Sequence, residues 1–380
     1  MNIALTALSC DDETGIGRVV KNLAEHFAAA GHSVDVIASR FGSVGNGVVC
    51  RRLRTVPGPY TANFLLCSLQ ARAALRRGKY DVSNSFGVGR GASIVTAQSC
   101  HRSGVEIQRK FRRGRIGSEG WGIFDTAALA EERALVTARS TRLIIAVSQL
   151  VKEQLQDCYD VPPDKIRVIP NGVEMPGENQ GARAGRRRAA RARFGWREND
   201  FGLLFVANEF DRKGLETIIG ALSLLHEPEI RLAVVGGDDP ARYRLLAARG
   251  GVADRIEFAG TIRGAESLYA GADAFVLPTW YEPFGMVIIE AMAEGVPVIT
   301  SARAGAVEGM THERHGLFLQ DVRSADELAS AIGRIRDDSS LRSLLASSGK
   351  DAARRFAWPV VAEETMAVYR TIVRGSARLD

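Results

Sequence analysis

Ile3-Ala4-Leu5-Thr6-Ala7-Leu8, then Gly15-Ile16-Gly17, then Val20, Leu23, Ala24 and Phe27 at i, i+3, i+4 and i+7, then Gly31 and Val34-Asp35-Val36-Ile37-Ala38: this stretch decides the fold. The two outer runs are short and apolar, as buried strands are. The middle has helical period, and a glycine at its end supplies the left-handed residue that stops a helix. Strand, glycine loop, helix and strand in this order make a βαβ unit, whose crossover sets the two strands parallel. Met1–Cys10 has no basic n-region and runs straight into Asp11-Asp12-Glu13, so it is expected to be the first strand and not a secretory leader.

The same alternation continues outward. Strands are predicted at Val48–Leu53, Asp81–Ser83, Ile94–Ala97, Leu143–Val147 and Ile166–Ile169, with helices in most of the gaps. Ile169-Pro170-Asn171-Gly172 has turn chemistry. The stretch after it holds Gly181, Arg183, Gly185, Arg186, Arg187, Arg188, Arg191 and Arg193, and is expected to connect two domains. Strands restart at Leu203–Val206, Leu232–Val235, Ile256–Phe258, Ala274–Leu277, Val296–Thr300 and Gly316–Leu319. The fold class is therefore α/β. The 380 residues exceed what one hydrophobic core organises, about 250–300. Two Rossmann-like domains are expected, residues 1–172 and 200–358, joined by an arginine-rich linker at 173–199. No short repeat suggests a solenoid.

Composition narrows the function. At 46% hydrophobic and 25% charged, the chain can close ordinary cores. No apolar run approaches the ~20 residues that span a bilayer. A net charge of +6 favours phosphates and anionic membranes. Cys10, Cys50, Cys67, Cys100 and Cys158 are scattered, without a Cys-x-x-Cys pair, so neither a disulfide framework nor a zinc site is suggested. A reducing cytoplasm fits this usage.

Open parallel sheets bind ligands beyond the carboxyl ends of their strands, and two facing domains would place those ends across one cleft. The chemistry is sought there. In Leu277-Pro278-Thr279-Trp280-Tyr281-Glu282-Pro283-Phe284-Gly285-Met286-Val287-Ile288-Ile289-Glu290-Ala291-Met292 a strand ends, a loop holds a carboxylate and an apolar helix begins, interrupted by Glu290. A buried carboxylate without a partner is costly. Helical side chains lean toward the N-terminus, so Glu290 can face the same way as Glu282 and accept sugar hydroxyls. The amides of Phe284, Gly285 and Met286, with Val287 beside them, offer donors and a partial positive charge to phosphate or sugar oxygens. The bland alternative has Glu282 capping the helix and Glu290 paired with an arginine such as Arg303.

Glu282 and Glu290 stand eight positions apart, with Pro283-Phe284-Gly285 between them and Ala291-Met292-Ala293-Glu294-Gly295-Val296-Pro297-Val298-Ile299 after them. This segment resembles the Glu-x7-Glu signature of family 4 retaining glycosyltransferases. Gly15-Ile16-Gly17-Arg18, Ile169-Pro170-Asn171-Gly172-Val173, Lys213-Gly214 and Val234-Val235-Gly236-Gly237 fall in the same order as in that family. The resemblance implies the two-domain GT-B architecture, with a last helix at 359–380 crossing back to the N-terminal, acceptor-binding domain. It implies that Asn208-Glu209-Phe210-Asp211-Arg212-Lys213-Gly214 holds the donor diphosphate. The family's arginine five positions before the lysine is replaced by Asn208, and Arg212 is the expected substitute. Phe210-Asp211-Arg212-Lys213-Gly214 and Val234-Val235-Gly236-Gly237-Asp238-Asp239-Pro240 are similar to the lipopolysaccharide-core glucosyltransferase branch, which implies a cell-envelope acceptor. Of Gly15 and Gly17, Gly17 is favoured as the phosphate contact. His101 falls where the family has a histidine near the donor sugar's C6 hydroxyl, and Arg263 where the family's backbone reads the base.

No Asp-x-Asp triplet occurs, so no obligatory metal and no cofactor beyond the nucleoside-diphosphate sugar donor are expected. The implied reaction is retaining transfer of a hexose, most simply from UDP-glucose, to a hydroxyl of a glycan or lipid-linked acceptor. Arg109-Lys110-Phe111-Arg112-Arg113-Gly114-Arg115 and the arginine-rich linker could bind an anionic membrane surface, placing the enzyme on the inner face of the plasma membrane. Nucleic acid is not an expected partner, because these clusters lack a recognition motif or aromatic platform. The rivals are an NAD-dependent oxidoreductase, disfavoured because Val20 stands where Gly-x-Gly-x-x-Gly needs a third glycine, and a non-catalytic nucleotide-sugar-binding protein.

Overall fold

The computed structural model describes residues 1–111, 122–177 and 180–376. The chain divides into two compact units, Met1–Gly172 with Trp358–Asp380, and Val173–Ala357.

The first unit is built on β1 (Asn2–Thr6), β2 (Ser33–Ala38), β3 (Val48–Arg52), β4 (Val82–Ser85), β5 (Ile94–Ala97), β6 (Leu143–Ala146) and β7 (Ile166–Val168). They are ordered β3-β2-β1-β4-β5-β6-β7 and are all parallel. Ile3, Ala4 and Leu5 of β1 are buried, as a central strand covered on both faces must be. The helices are α1 (Gly15–Ala29), α2 (Tyr60–Arg77), α3 (His101–Phe111), α4 (Ile123–Val136) and α5 (Gln149–Tyr159). Val19, Val20, Leu23, Ala24 and Phe27 form the buried stripe of α1. Gly15-Ile16-Gly17, read in the sequence as a loop, is the first turn of this helix, because Thr14 caps it: the Thr14 side chain accepts from the Gly17 amide.

The second unit contains α6 (Gln180–Arg193), β8 (Phe201–Val206), α7 (Leu215–Leu224), β9 (Ile230–Val235), α8 (Ala241–Arg249), β10 (Ile256–Gly260), β11 (Ala274–Leu277), α9 (Met286–Ala293), β12 (Val298–Ser301), β13 (Leu317–Leu319), α10 (Ala325–Asp337) and α11 (Ser339–Ala353). Its parallel sheet runs β10-β9-β8-β11-β12-β13. Strand order reverses between β8 and β11, which brings the loops that follow these two strands side by side. The arginine-rich stretch expected as a linker is instead mostly helix α6, a part of this unit. Arg183, Arg186, Arg187 and Arg191 meet acidic side chains or carbonyls of the unit, so the stretch is packed where an interdomain connection was expected.

The chain returns to the first unit through α12 (Trp358–Ser376). Val361, Ala362, Met366, Tyr369 and Ile372 are buried. Tyr369 packs on Phe27 of α1 at 5.4 Å between ring centroids, and its hydroxyl accepts from Asn84 of β4 at 2.8 Å. A Cβ on Gly172 would lie 2.1 Å from the Trp358 ring, so only glycine admits this approach. Among the described residues no helix is long and apolar enough to cross a membrane.

Candidate functional site

Residues that follow β8 and β11 meet at the reversal in strand order. The Lys213 ammonium forms an ion pair with Glu282 Oε2, both side chains being about nine-tenths buried. Burial pushes the Lys213 pKa down, with the attraction of Glu282 opposing and the repulsion of Arg212 reinforcing it. Two glycines permit this closeness. Gly214, at φ +79°, lies where a Cβ would be 2.1 Å from the Pro278 carbonyl. Gly285, at φ +103°, lies where a Cβ would be 2.9 Å from Glu282 Cγ.

Arg212 laces the two loops together. Its Nη1 donates to the Tyr281 carbonyl at 2.5 Å, and its own carbonyl accepts from the Trp280 amide at 3.0 Å. Its Nε and Nη2 donate to Glu209 Oε2 at 2.9 and 2.5 Å. The guanidinium expected to meet the donor diphosphate is thus held by the protein's own oxygens. Asn208, at the position where the family pattern has an arginine, accepts from the Gly237 amide at 2.9 Å and so joins the ends of β8 and β9.

Glu282 and Phe284 are fixed from the far side by the segment after β12: the Gly305 amide donates to the Glu282 carbonyl at 3.0 Å, and the Ala306 amide to the Phe284 carbonyl at 2.7 Å. Helix α9 then begins at Met286, one residue later than read from sequence. Its opening turn leaves amide N–H groups, Met286 and Val287 among them, without intrahelical acceptors. Glu290 is buried one turn further on, and the Tyr269 hydroxyl donates to its Oε2 at 2.7 Å. Tyr269, and not Arg303, is thus a protein partner of this carboxylate; Arg303 is exposed on the loop after β12. Sequence reasoning missed Tyr269, because nothing local links it to a residue 21 positions away. Arg263 is exposed after β10.

The other expected positions belong to the first unit. His101 opens α3; its Nε2 lies 3.2 Å from Asp125 Oδ1, and its amide donates to Glu132 at 2.5 Å. The Gly17 amide, favoured for phosphate, is taken by Thr14 at 3.0 Å, and Gly17 is buried. A carboxylate lies close by: Asp11 Oδ1 accepts from the Thr14 amide at 3.1 Å, while its Oδ2 accepts from Arg40 at 2.7 Å. These contacts hold the Asp11 carboxyl below its ordinary pKa, the Arg40 hydrogen bond foremost, against the opposing effect of burial. Gly15, in contrast, is exposed, with open space around it. In the basic cluster after His101, Arg109 and Lys110 are exposed, whereas Arg112, Arg113, Gly114 and Arg115 lie outside the described residues.

Comparison with known proteins places the chain in a family. The family model described as Glycosyltransferase Family 4 matches residues 14–175, and that described as Glycosyl transferases group 1 matches residues 186–352. The chain belongs to the family 4 glycosyltransferases. It is 29% identical over 371 residues to an uncharacterized glycosyltransferase of Methanocaldococcus jannaschii, covering 94% of both chains. It is 29% identical over 412 residues to D-inositol 3-phosphate glycosyltransferase of Acidothermus cellulolyticus, covering 95% of this chain and 86% of that one. Against the lipopolysaccharide glucosyltransferase WaaG of Escherichia coli it is 27% identical over 229 residues, 60% of this chain and 61% of that one. Among solved structures, WaaG matches with a TM-score of 0.81 at 22% identity over 97% of this chain and 99% of that one. Anabaena HepE in complex with UDP-glucose matches with a TM-score of 0.73 at 18% identity over 98% of this chain and all of that one. These likenesses give the glycosyltransferase the GT-B fold, and its resemblance to the lipopolysaccharide-core branch extends over both units.

Proposed function

We propose that this glycosyltransferase moves a hexose from a nucleoside diphosphate, most simply UDP-glucose, to a hydroxyl of a glycan or lipid-linked cell-envelope acceptor, with retention at the anomeric carbon. The observation that carries the reading is the Lys213–Glu282 pair, set where strand order reverses and just ahead of the amide-rich start of α9. A buried lysine with one carboxylate partner can redirect its charge to an arriving diphosphate, and the helix start adds donors and a partial positive potential. Glu282, released from Lys213, and Glu290 then accept hydroxyls of the donor. Named relatives support the choice of donor and acceptor: HepE is described with UDP-glucose, and WaaG with lipopolysaccharide biosynthesis.

In the reaction, the bond from the anomeric carbon to the diphosphate oxygen breaks and the acceptor oxygen bonds to that carbon from the same face. The acceptor proton passes to the leaving diphosphate oxygen. Lys213 and the α9 start stabilise the departing charge. The family resemblance assigns His101 to the donor's C6 hydroxyl. Neither a metal nor a further cofactor is required in this scheme, so turnover should persist in a chelator such as EDTA.

Lys213→Ala or Glu282→Ala should reduce transfer from UDP-glucose to background in a donor-panel assay while circular dichroism shows a folded chain. Near-native turnover in either variant would remove the site from this account. The membrane reading rests on Arg109 and Lys110 with the exposed Arg188 and Arg193, and predicts co-sedimentation with anionic vesicles that salt weakens.

A further inference from the structure

Helix α6 sets its arginines on two sides. Arg183, Arg186, Arg187 and Arg191 turn toward the unit, whereas Arg188 and Arg193 are exposed. We propose that the inward arginines of α6, together with Tyr269, brace the Glu290 carboxylate in the orientation that donor binding needs. This rests on the reading above that Glu290 holds donor hydroxyls.

The brace grips both elements that meet at Glu290. One is the 3-10 turn Ala265–Gly271, which carries Tyr269. Arg187 Nη1 donates to the carbonyls of Ala270, Gly271 and Ala272 at 3.4, 3.4 and 3.3 Å, and Arg191 Nη1 to Gly271 at 3.3 Å. Both arginines also pair with Asp273, at 2.7 and 3.1 Å, which anchors the chain just beyond the turn. The approach is tight: a Cβ on Gly271 would lie 2.6 Å from the Ala190 Cβ. The other element is α9 itself. Arg186 Nη2 reaches both carboxylate oxygens of Glu294 at 3.1 and 3.0 Å, and Arg183 Nε reaches the Glu294 carbonyl at 3.2 Å. Glu294 ends α9, and its amide donates to the Glu290 carbonyl at 3.1 Å.

Cations at a helix C-terminus are favourable in any case. Here they also fix the axial position of an eight-residue helix, short enough that its end contacts set where Glu290 lies. From the other side the Tyr269 hydroxyl sets the rotation of the carboxylate. A group held this way before the ligand arrives loses little freedom on binding. The arginines thus act through Tyr269 and α9 as positioning residues.

The test compares Tyr269→Phe, Arg186→Ala and a control, Arg249→Ala at an exposed position of α8, in the full chain. Hydrogen exchange of the α9 amides is followed in the unliganded protein, and UDP affinity by calorimetry. Tyr269→Phe keeps the buried ring and removes one hydrogen bond to a carboxylate, so UDP should bind about fivefold more weakly and donor KM should rise alike, with kcat within about twofold. Arg186→Ala should accelerate exchange in α9 and weaken UDP in the same direction. The control should change neither quantity. If Tyr269→Phe and Arg186→Ala leave exchange and affinity at wild-type values, or if the control weakens UDP as much as they do, the brace is overturned. If instead Glu290→Ala binds UDP like the wild type while α9 exchange still responds to Arg186→Ala, the assignment of Glu290 to the donor has failed and the brace is structural.

Discussion

Burial holds the Lys213 ammonium below its ordinary pKa of 10.5, so between its folded value and 10.5 the unfolded chain binds more protons than the folded one. Stability from this residue therefore rises with pH across that window, and its cost is greatest at pH below it. Glu282 offsets that cost, and removing one partner of a buried pair leaves an uncompensated charge. Glu282→Gln should lower unfolding free energy by about 3 kcal/mol at neutral pH, with the deficit shrinking as pH rises toward the alkaline range. Urea titrations across pH would measure it. Replacing both partners by apolar residues of similar volume, as Lys213→Met/Glu282→Leu, should recover much of that stability and none of the transfer activity, which separates a functional pair from a merely structural one. Gly285 gives a finer probe. A Cβ there requires a strained positive φ and displaces Glu282 Cγ or Ile288 Cδ1, so Gly285→Ala should lower kcat/KM about tenfold or more.

At the scale of elements, α1 shows how one glycine pair splits into two roles. A Cβ on Gly17 would fall 2.5 Å from both Asp11 Oδ1 and Thr14 Oγ1, whereas one on Gly15 meets nothing within 4 Å. Gly17→Ala should cost about 1–3 kcal/mol. Gly15→Ala should be neutral or stabilise by about 0.5 kcal/mol, since alanine restricts the unfolded chain. Thermal melts of the two variants would distinguish a close-packed turn from a free one. Helix α6 teaches a related lesson. Its arginines look like a solvated run because its sequence carries no broad apolar stripe, and the helix is recognisable only once Asp273 and Glu294 are in place opposite it.

On the scale of the whole molecule, α12 completes the first unit although it comes last in the chain. Asn84 is fully buried and shares its side chain between Thr96, at 2.8 and 3.0 Å, and Tyr369, at 2.8 Å. Tyr369→Phe should destabilise by about 1 kcal/mol, measured by denaturant unfolding. Ending the chain before Trp358 should be far worse. It uncovers the surface of α1 around Phe27 on which Tyr369 packs, and the truncated protein should aggregate on expression.

The sequence by itself determined the alternation of strands and helices, because periodicities of two and 3.6 residues are local properties of neighbouring side chains. It placed β5 and β11 to the residue, and gathered Lys213, Glu282 and Glu290 as the residues to examine. Tertiary structure alone decided what these groups touch. Lys213 and Glu282 are 69 positions apart, and Arg186 and Glu294 are 108 apart. Hydrogen bonds and ion pairs act over a few ångströms of space and leave no period along the chain, so only the folded unit, by reversing its strand order and packing α6 against the turn before β11 and the end of α9, could make them neighbours.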